Sequence, residues 1–229
     1  MKVLVRVLGS SLGKKYIMAI TGFILYGFVV FHMLGNLQTF LGQEAVNRYA
    51  HFLKSLPEIL WPARLTLLAV AIIHIIVAIQ LTVENRRARG NSAYSEKKSL
   101  GATLASRTMA ISGLIVFAFI VYHLLHFTVG ITHPKLYALK DSLGQHDVYN
   151  MLVYSFQIPY ISIFYIIGVG LLCLHLSHGI ESMFHSMGII KTSYHFPLRW
   201  FARIFAFLIF IGMSCIPIAV LMGVIQPAT

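Results

Sequence analysis

The chain has 229 residues, 58% of them hydrophobic and only 11% charged, whereas ordinary soluble domains carry roughly a quarter charged residues. With a mean hydropathy of +0.78, it cannot cover itself with polar surface; this excludes an ordinary soluble globule and makes lipid the expected solvent. The formal net charge of +11 would suit nucleic acid, but its distribution along the chain excludes that partner.

A membrane-spanning helix needs about 20 mostly apolar residues. Five windows qualify, at 15–36, 63–83, 107–129, 159–181 and 201–224. The first is too long for a signal-peptide core and no small-residue cleavage site follows it, so it reads as a retained span. Segments 37–62 and 130–158 are amphipathic enough for short interfacial helices. Cys173 and Cys215 lie inside apolar runs and form neither a disulfide framework nor a zinc spacing. No internal repeat or low-complexity segment stands out. The sequence therefore predicts an all-α integral membrane bundle of five transmembrane helices, a single membrane domain over 1–229.

Lysine and arginine report topology, because they stay on the cytoplasmic side. Lys2, Arg6, Lys14 and Lys15 precede span one. Arg86, Arg87, Arg89, Lys97, Lys98 and Arg107 lie between spans two and three, and Lys191, Arg199 and Arg203 between four and five. Thirteen cations thus share one side, against five on the other: Arg48, Lys54, Arg64, Lys135 and Lys140. The expected arrangement is a multi-pass protein of the cell membrane with a cytoplasmic N-terminus and an external C-terminus. The basic inner face suits anionic lipid and equally a soluble partner subunit.

Eleven histidines stand against seven acidic residues. Four fall inside the spans, one per helix: His32, His74, His123 and His175. His126 and His178 follow three residues after the last two. A strongly polar side chain in hydrocarbon is costly and normally has a partner and a task. Neutral imidazole ligates haem iron through one ring nitrogen while an acceptor orients the other. Two histidines on facing helices clamp one iron, so four on four helices can hold two b-type haems. With both axial positions filled, the implied chemistry is electron transfer, not oxygen activation. The alternatives are interhelical hydrogen bonds or a histidine-lined proton path through a channel or transporter. Paired inward carboxylates for such a path are missing; Glu84 and Glu181 stand at the inner ends of their spans.

Depth sorts the four. Spans one and three rise outward, with His32 near the outer end of the first and His123 six residues from the outer end of the third. Spans two and four descend. His175 lies about 9 Å before the inner end at 1.5 Å per residue, and His74 lies nearer mid-span. This pairs His32 with His123 toward the outer face and His74 with His175 toward the inner face, the second pair being less well matched. Gly22, Gly27, Gly113, Gly168, Gly170 and Gly179 can admit a flat macrocycle or simply let helices pack closely.

The entry to span one reads SSLGKKYIMAITGFILYGFVVFHMLGNLQ, span three SRTMAISGLIVFAFIVYHLLHF, and the end of span four CLHLSHGIESMFHSMG. Together they resemble the cytochrome b membrane subunit of succinate:quinone oxidoreductases and fumarate reductases, in its single-subunit, five-helix, two-haem type. The most specific pieces are His175-x-x-x-Gly179 with Ser182 following, and His32–Gly35–Asn36–Leu37. The resemblance implies axial ligands at His32, His74, His123 and His175, the first paired with the third and the second with the fourth. It favours His123 over His126 and His175 over His178. His126 is then left for a propionate or quinone, and His178 for the inner interface. It further implies a flavoprotein partner with covalent FAD, an iron–sulfur partner subunit, succinate oxidation on the partners, and electron delivery to quinone, menaquinone foremost. Neither a dinucleotide fingerprint nor an iron–sulfur cysteine set occurs in this chain, so FAD and the clusters belong to partners. A quinol:fumarate reductase anchor and another di-haem quinol oxidase subunit fit the same residues.

Quinone chemistry needs a hydrogen-bonding group at each carbonyl and a proton route. The resemblance implies a quinone site near the outer haem, with His51, Ser55 and Glu58 as candidates in the segment between spans one and two. Haem propionates need cationic or hydroxyl partners. Ser10, Ser11, Lys15 and Arg107 at the inner ends, with His126 and His178, are the candidates; the first four would serve equally as topology anchors. No catalytic residue is expected on this chain itself.

Overall fold

The computed structural model describes residues 9–89, 104–188 and 195–228; Lys2, Arg6, Lys97, Lys98 and Lys191 of the charge argument lie outside them. The described residues form seven α-helices of two turns or more. These are α1 (Ser11–Leu37), α2 (Gln43–Lys54), α3 (Pro57–Arg89), α4 (Leu104–His123), α5 (Val148–Phe156), α6 (Pro159–Ser186) and α7 (His195–Leu221). There is no strand among them, only an isolated bridge between Lys140 and His146.

Five stretches are long and apolar enough to cross a membrane: Ser11–Leu41, Pro57–Ala88, Met109–Thr128, Pro159–Ser186 and Phe196–Leu221. In hydrocarbon a backbone must satisfy its own polar groups, and helices do so within one segment. Large apolar side chains such as Phe31, Leu114 and Ile20 stay exposed, as suits a surface solvated by lipid. The spans depart from the predicted windows at their ends. α3 starts at Pro57, six residues before the predicted 63, and runs through Pro62, where the missing N–H forgoes the bond to the carbonyl four residues earlier. The last span stops at Leu221, short of 224. Gly223 has φ +72 there, a left-handed turn that a residue without Cβ adopts freely.

α1 packs on α3, α6 and α7, and α6 packs on α1, α4 and α7, while α3 and α4 touch lightly. Helices α3, α1, α6 and α4 therefore close a ring, with α7 outside it against α6 and α1. Two pairs face each other across the diagonals without packing closely: α1 with α4, and α3 with α6. Ion pairs clasp the ring at one end, where α1 begins and α3 and α6 finish. Glu84 of α3 receives Lys14 and Ser11 of α1, and Glu181 of α6 receives Arg199 of α7 at 3.0 Å.

The opposite end carries a polar cap. Asp147, 2% exposed, caps α5 and accepts from Asn150 N–H at 3.0 Å, Asn150 Nδ2 at 2.8 Å, Asn47 Nδ2 at 3.0 Å and Gln43 Nε2 at 2.8 Å. Asn150 also exchanges two bonds with the backbone of Ala228. The carboxylate thus joins α2 to α5, and Asn150 carries the link on to the C-terminal segment. The two predicted interfacial helices exist as α2 and α5, but α5 is almost wholly buried and does not lie on the surface.

A Cβ at Gly168 would overlap the Phe119 ring, so this glycine serves α4–α6 contact. Gly168→Val should destabilise the bundle by roughly 1–3 kcal/mol, the usual cost of overpacking, read from unfolding of the purified protein in mild detergent.

The chain does contain an internal repeat. MAITGFILYGFVVFHML (18–34) aligns without a gap on MAISGLIVFAFIVYHLL (109–125), with nine of seventeen residues identical. His32 matches His123, and Thr21–Gly22 matches Ser112–Gly113. Downstream, His74-x-x-x-Ala-Ile-Gln answers His175-x-x-x-Gly-Ile-Glu. The repeating unit is a helix pair, α1–α3 and α4–α6. It eludes a sequence scan because the two helices of each pair are separated by unrelated connecting segments.

Candidate functional site

The ring places one of the four histidines on each of its helices. His32 of α1 and His123 of α4 meet across one diagonal, edge to face, with ring centroids 5.7 Å apart and planes at 88°. Each stands one turn after a phenylalanine of its own helix. His32 stacks on Phe28 at 5.4 Å and 24°, and His123 lies 6.4 Å from Phe119. Phe127 and Tyr165 complete the wall around His123.

Across the other diagonal stand His74 on α3 and His175 on α6. Each is held by the neighbouring helix of its own repeat. Thr21 Oγ1 lies 2.9 Å from His74 Nδ1, and Ser112 Oγ lies 3.1 Å from His175 Nδ1. The next residue is glycine in both cases. A Cβ at Gly22 would meet His74 Cε1 at 3.4 Å, and one at Gly113 would meet His175 Cε1 at 3.5 Å. Hydroxyl and glycine thus form one socket, used twice. Along α1 the two levels are about 16 Å apart, eleven residues at 1.5 Å each.

Comparison with family models, curated proteins and solved structures returned no match for this chain. What the site does must therefore be argued from its residues.

Among the described residues no three His, Cys, Asp or Glu side chains gather as a metal cluster; the histidines come in twos. Two facing neutral imidazoles are a donor set for an iron whose remaining ligands come from a macrocycle, not for a bare ion that needs four protein ligands. The paired donors fit haem, while the space at Gly22 and Gly113 is taken by the imidazole rings themselves. Of the other glycines, Gly170 faces Phe210, while positions 27 and 179 open onto space.

His126 has a different place. A π-turn, Leu124–Thr128, follows α4 directly, and such turns recur at functional sites. It carries His126 into the interior, 2% exposed, with Nδ1 3.0 Å from Tyr165 OH and the ring stacked on Phe127 at 4.0 Å. Its Nε2 has no hydrogen-bond partner among the described residues. Nothing in the sequence HLLHFT announced that turn. His178 is half-buried one turn past His175.

The remaining candidates stand apart from the pairs. Ser10 caps α1 by accepting Gly13 N–H at 3.1 Å, Ser11 bonds Glu84 at 3.2 Å, and Lys15 is exposed. Arg107 belongs to α4, but its side chain lies outside the described residues. His51, Ser55 and Glu58 are exposed where α2 gives way to α3, with Ser55 Oγ donating to the Phe52 carbonyl at 2.8 Å. None of the three lines the open cleft of about 520 Å³ beside α2, which Gln38, Leu41, Arg48, Tyr49 and Phe52 bound. Sequence reasoning passed over Thr21, Ser112 and Tyr165. The signal for the first two was present: a hydroxyl–glycine step stands eleven residues before both His32 and His123.

Proposed function

We propose that the chain is the haem-bearing membrane anchor of a succinate:quinone oxidoreductase in the cell membrane, linking an iron–sulfur partner subunit to quinone, with menaquinone the expected acceptor. The observation that carries this reading is the placement of four intramembrane histidines, one on each helix of a single ring, with His32 and His123 in ring contact across one diagonal. His32 and His123 would hold one haem b, and His74 and His175 the other. When bound, such bis-histidine haems supply one-electron transfer and offer no open site to oxygen. The residues of the chain fix two imidazole pairs at two depths, exclude water with aromatic and aliphatic walls, and keep charged groups at the ends of the spans.

The partition of cations supports a cytoplasmic N-terminus. Succinate oxidation then belongs to a flavoprotein with covalent FAD docked on the basic face through the iron–sulfur subunit. Mild-detergent purification of the tagged chain from its native membrane tests this. A flavoprotein and an iron–sulfur subunit should travel with it, and succinate should reduce added quinone. A folded chain that purifies with neither partner refutes the anchor assignment.

A further inference from the structure

We infer that Thr21 and Ser112 are positioning residues that hold His74 and His175 as Nδ1–H tautomers, so that both Nε2 lone pairs remain for one shared iron. This deepens the haem reading above and rests on it for the identity of the metal group. A hydroxyl has one hydrogen to give. Thr21 Oγ1 spends its own on the Ile17 carbonyl at 2.8 Å, with the Met18 carbonyl at 3.2 Å. Ser112 Oγ spends its own on the Met109 carbonyl at 3.0 Å. Toward the two imidazoles each oxygen then has only lone pairs to offer, and the hydrogen in each contact must come from Nδ1. A neutral ring protonated at Nδ1 has its lone pair on Nε2.

The second observation is repetition. The same contact, hydroxyl to Nδ1 with glycine beside Cε1, occurs in both helix pairs. Thr at one position and Ser at the other share only the hydroxyl that this role requires. His32 and His123 occupy matched places in the repeat as well, but no hydrogen bond reaches their rings among the described residues. The device therefore belongs to one pair, which makes the other an internal control.

An acceptor at Nδ1–H makes the imidazole more basic and steadies its orientation; losing such a partner typically costs 10–100-fold in metal affinity or activity. A more basic ligand favours ferric over ferrous iron. Thr21→Val and Ser112→Ala should each reduce that preference about tenfold, raising one midpoint potential by about 59 mV for a one-electron couple. Thr21→Ser should keep the wild-type value.

The test is a redox titration of the full complex by difference spectroscopy, with histidine ¹⁵N spectra of the full chain. A shift confined to one haem in Thr21→Val and Ser112→Ala, absent from Thr21→Ser, supports the role. An unshifted potential with both haems retained overturns it, as does an equal shift or loss of both haems, which reports general loosening. The ¹⁵N spectra are taken on the haem-free full chain, because iron on Nε2 would itself leave the proton on Nδ1, and should place the proton of His74 and His175 on Nδ1 in wild type but not in the hydroxyl-less variants. If wild type binds no haem yet shows those locked tautomers, the haem reading fails and the positioning role survives. Tautomers that ignore the substitutions refute the positioning role alone.

Discussion

Replacing His123 with leucine should halve the haem content of the purified chain, from two haems to one. The physical reason is that a six-coordinate haem in an apolar bundle depends on both axial bonds, and leucine has no lone pair for iron. His32→Leu should do the same, because the two rings face each other 5.7 Å apart. Double variants make the pairing decisive. His32→Leu with His123→Leu removes two ligands of one haem, so one haem should remain. His123→Leu with His175→Leu takes one ligand from each pair, and none should remain. Pyridine haemochrome assays on the folded proteins read both outcomes. Equal haem content in the two doubles would overturn the pairing.

Asp147→Ala should be among the most destabilising single substitutions in this chain, by about 4 kcal/mol. The carboxylate is buried and receives bonds from Gln43, Asn47 and Asn150. Each donor left buried without a partner costs about 1–3 kcal/mol, and water reaching the membrane surface offsets part of the sum. The effect has a pH signature. Burial alone would push the carboxyl of Asp147 up, but the bonds from Asn150, Asn47 and Gln43 outweigh it and hold the group below its ordinary range. A folded pKa below the unfolded one stabilises the protein above the unfolded value, about 3.9, and that contribution is lost as pH falls through the folded value. Unfolding in detergent should therefore show an acid-induced loss of stability that is shallower in Asp147→Asn. An unchanged acid limb in that variant would show that Asp147 is not its source.

Much of the fold was legible because hydrocarbon leaves a chain few choices. Twenty apolar residues in a row must become a helix, so all five spans could be read from the sequence, with errors only at their ends. The second predicted window began at 63, whereas α3 begins at Pro57 and continues through Pro62. The polar cap was less legible. Asp147 stands before Val148 as an ordinary helix N-cap signal, but its burial depends on Gln43 and Asn47, about a hundred residues away in sequence. The four histidines were legible for the same reason as the spans: polar groups are rare at that depth. Depth alone left His74 loosely matched. The contacts from Thr21 and Ser112 now give His74 and His175 the same setting, which a register count along one helix cannot reveal. The repeat was written in the sequence throughout, but its unit is a helix pair spread over about ninety residues, far from the short periods that mark stacked repeats.

The most direct test of the central claim is the haem-to-chain ratio of the purified, folded protein, with its reduced-minus-oxidised spectrum. Two haem b per chain, giving a b-type difference spectrum, is the predicted result. A chain that keeps its helical fold and compact detergent particle yet carries no haem would contradict the account, and the four histidines would then need another task.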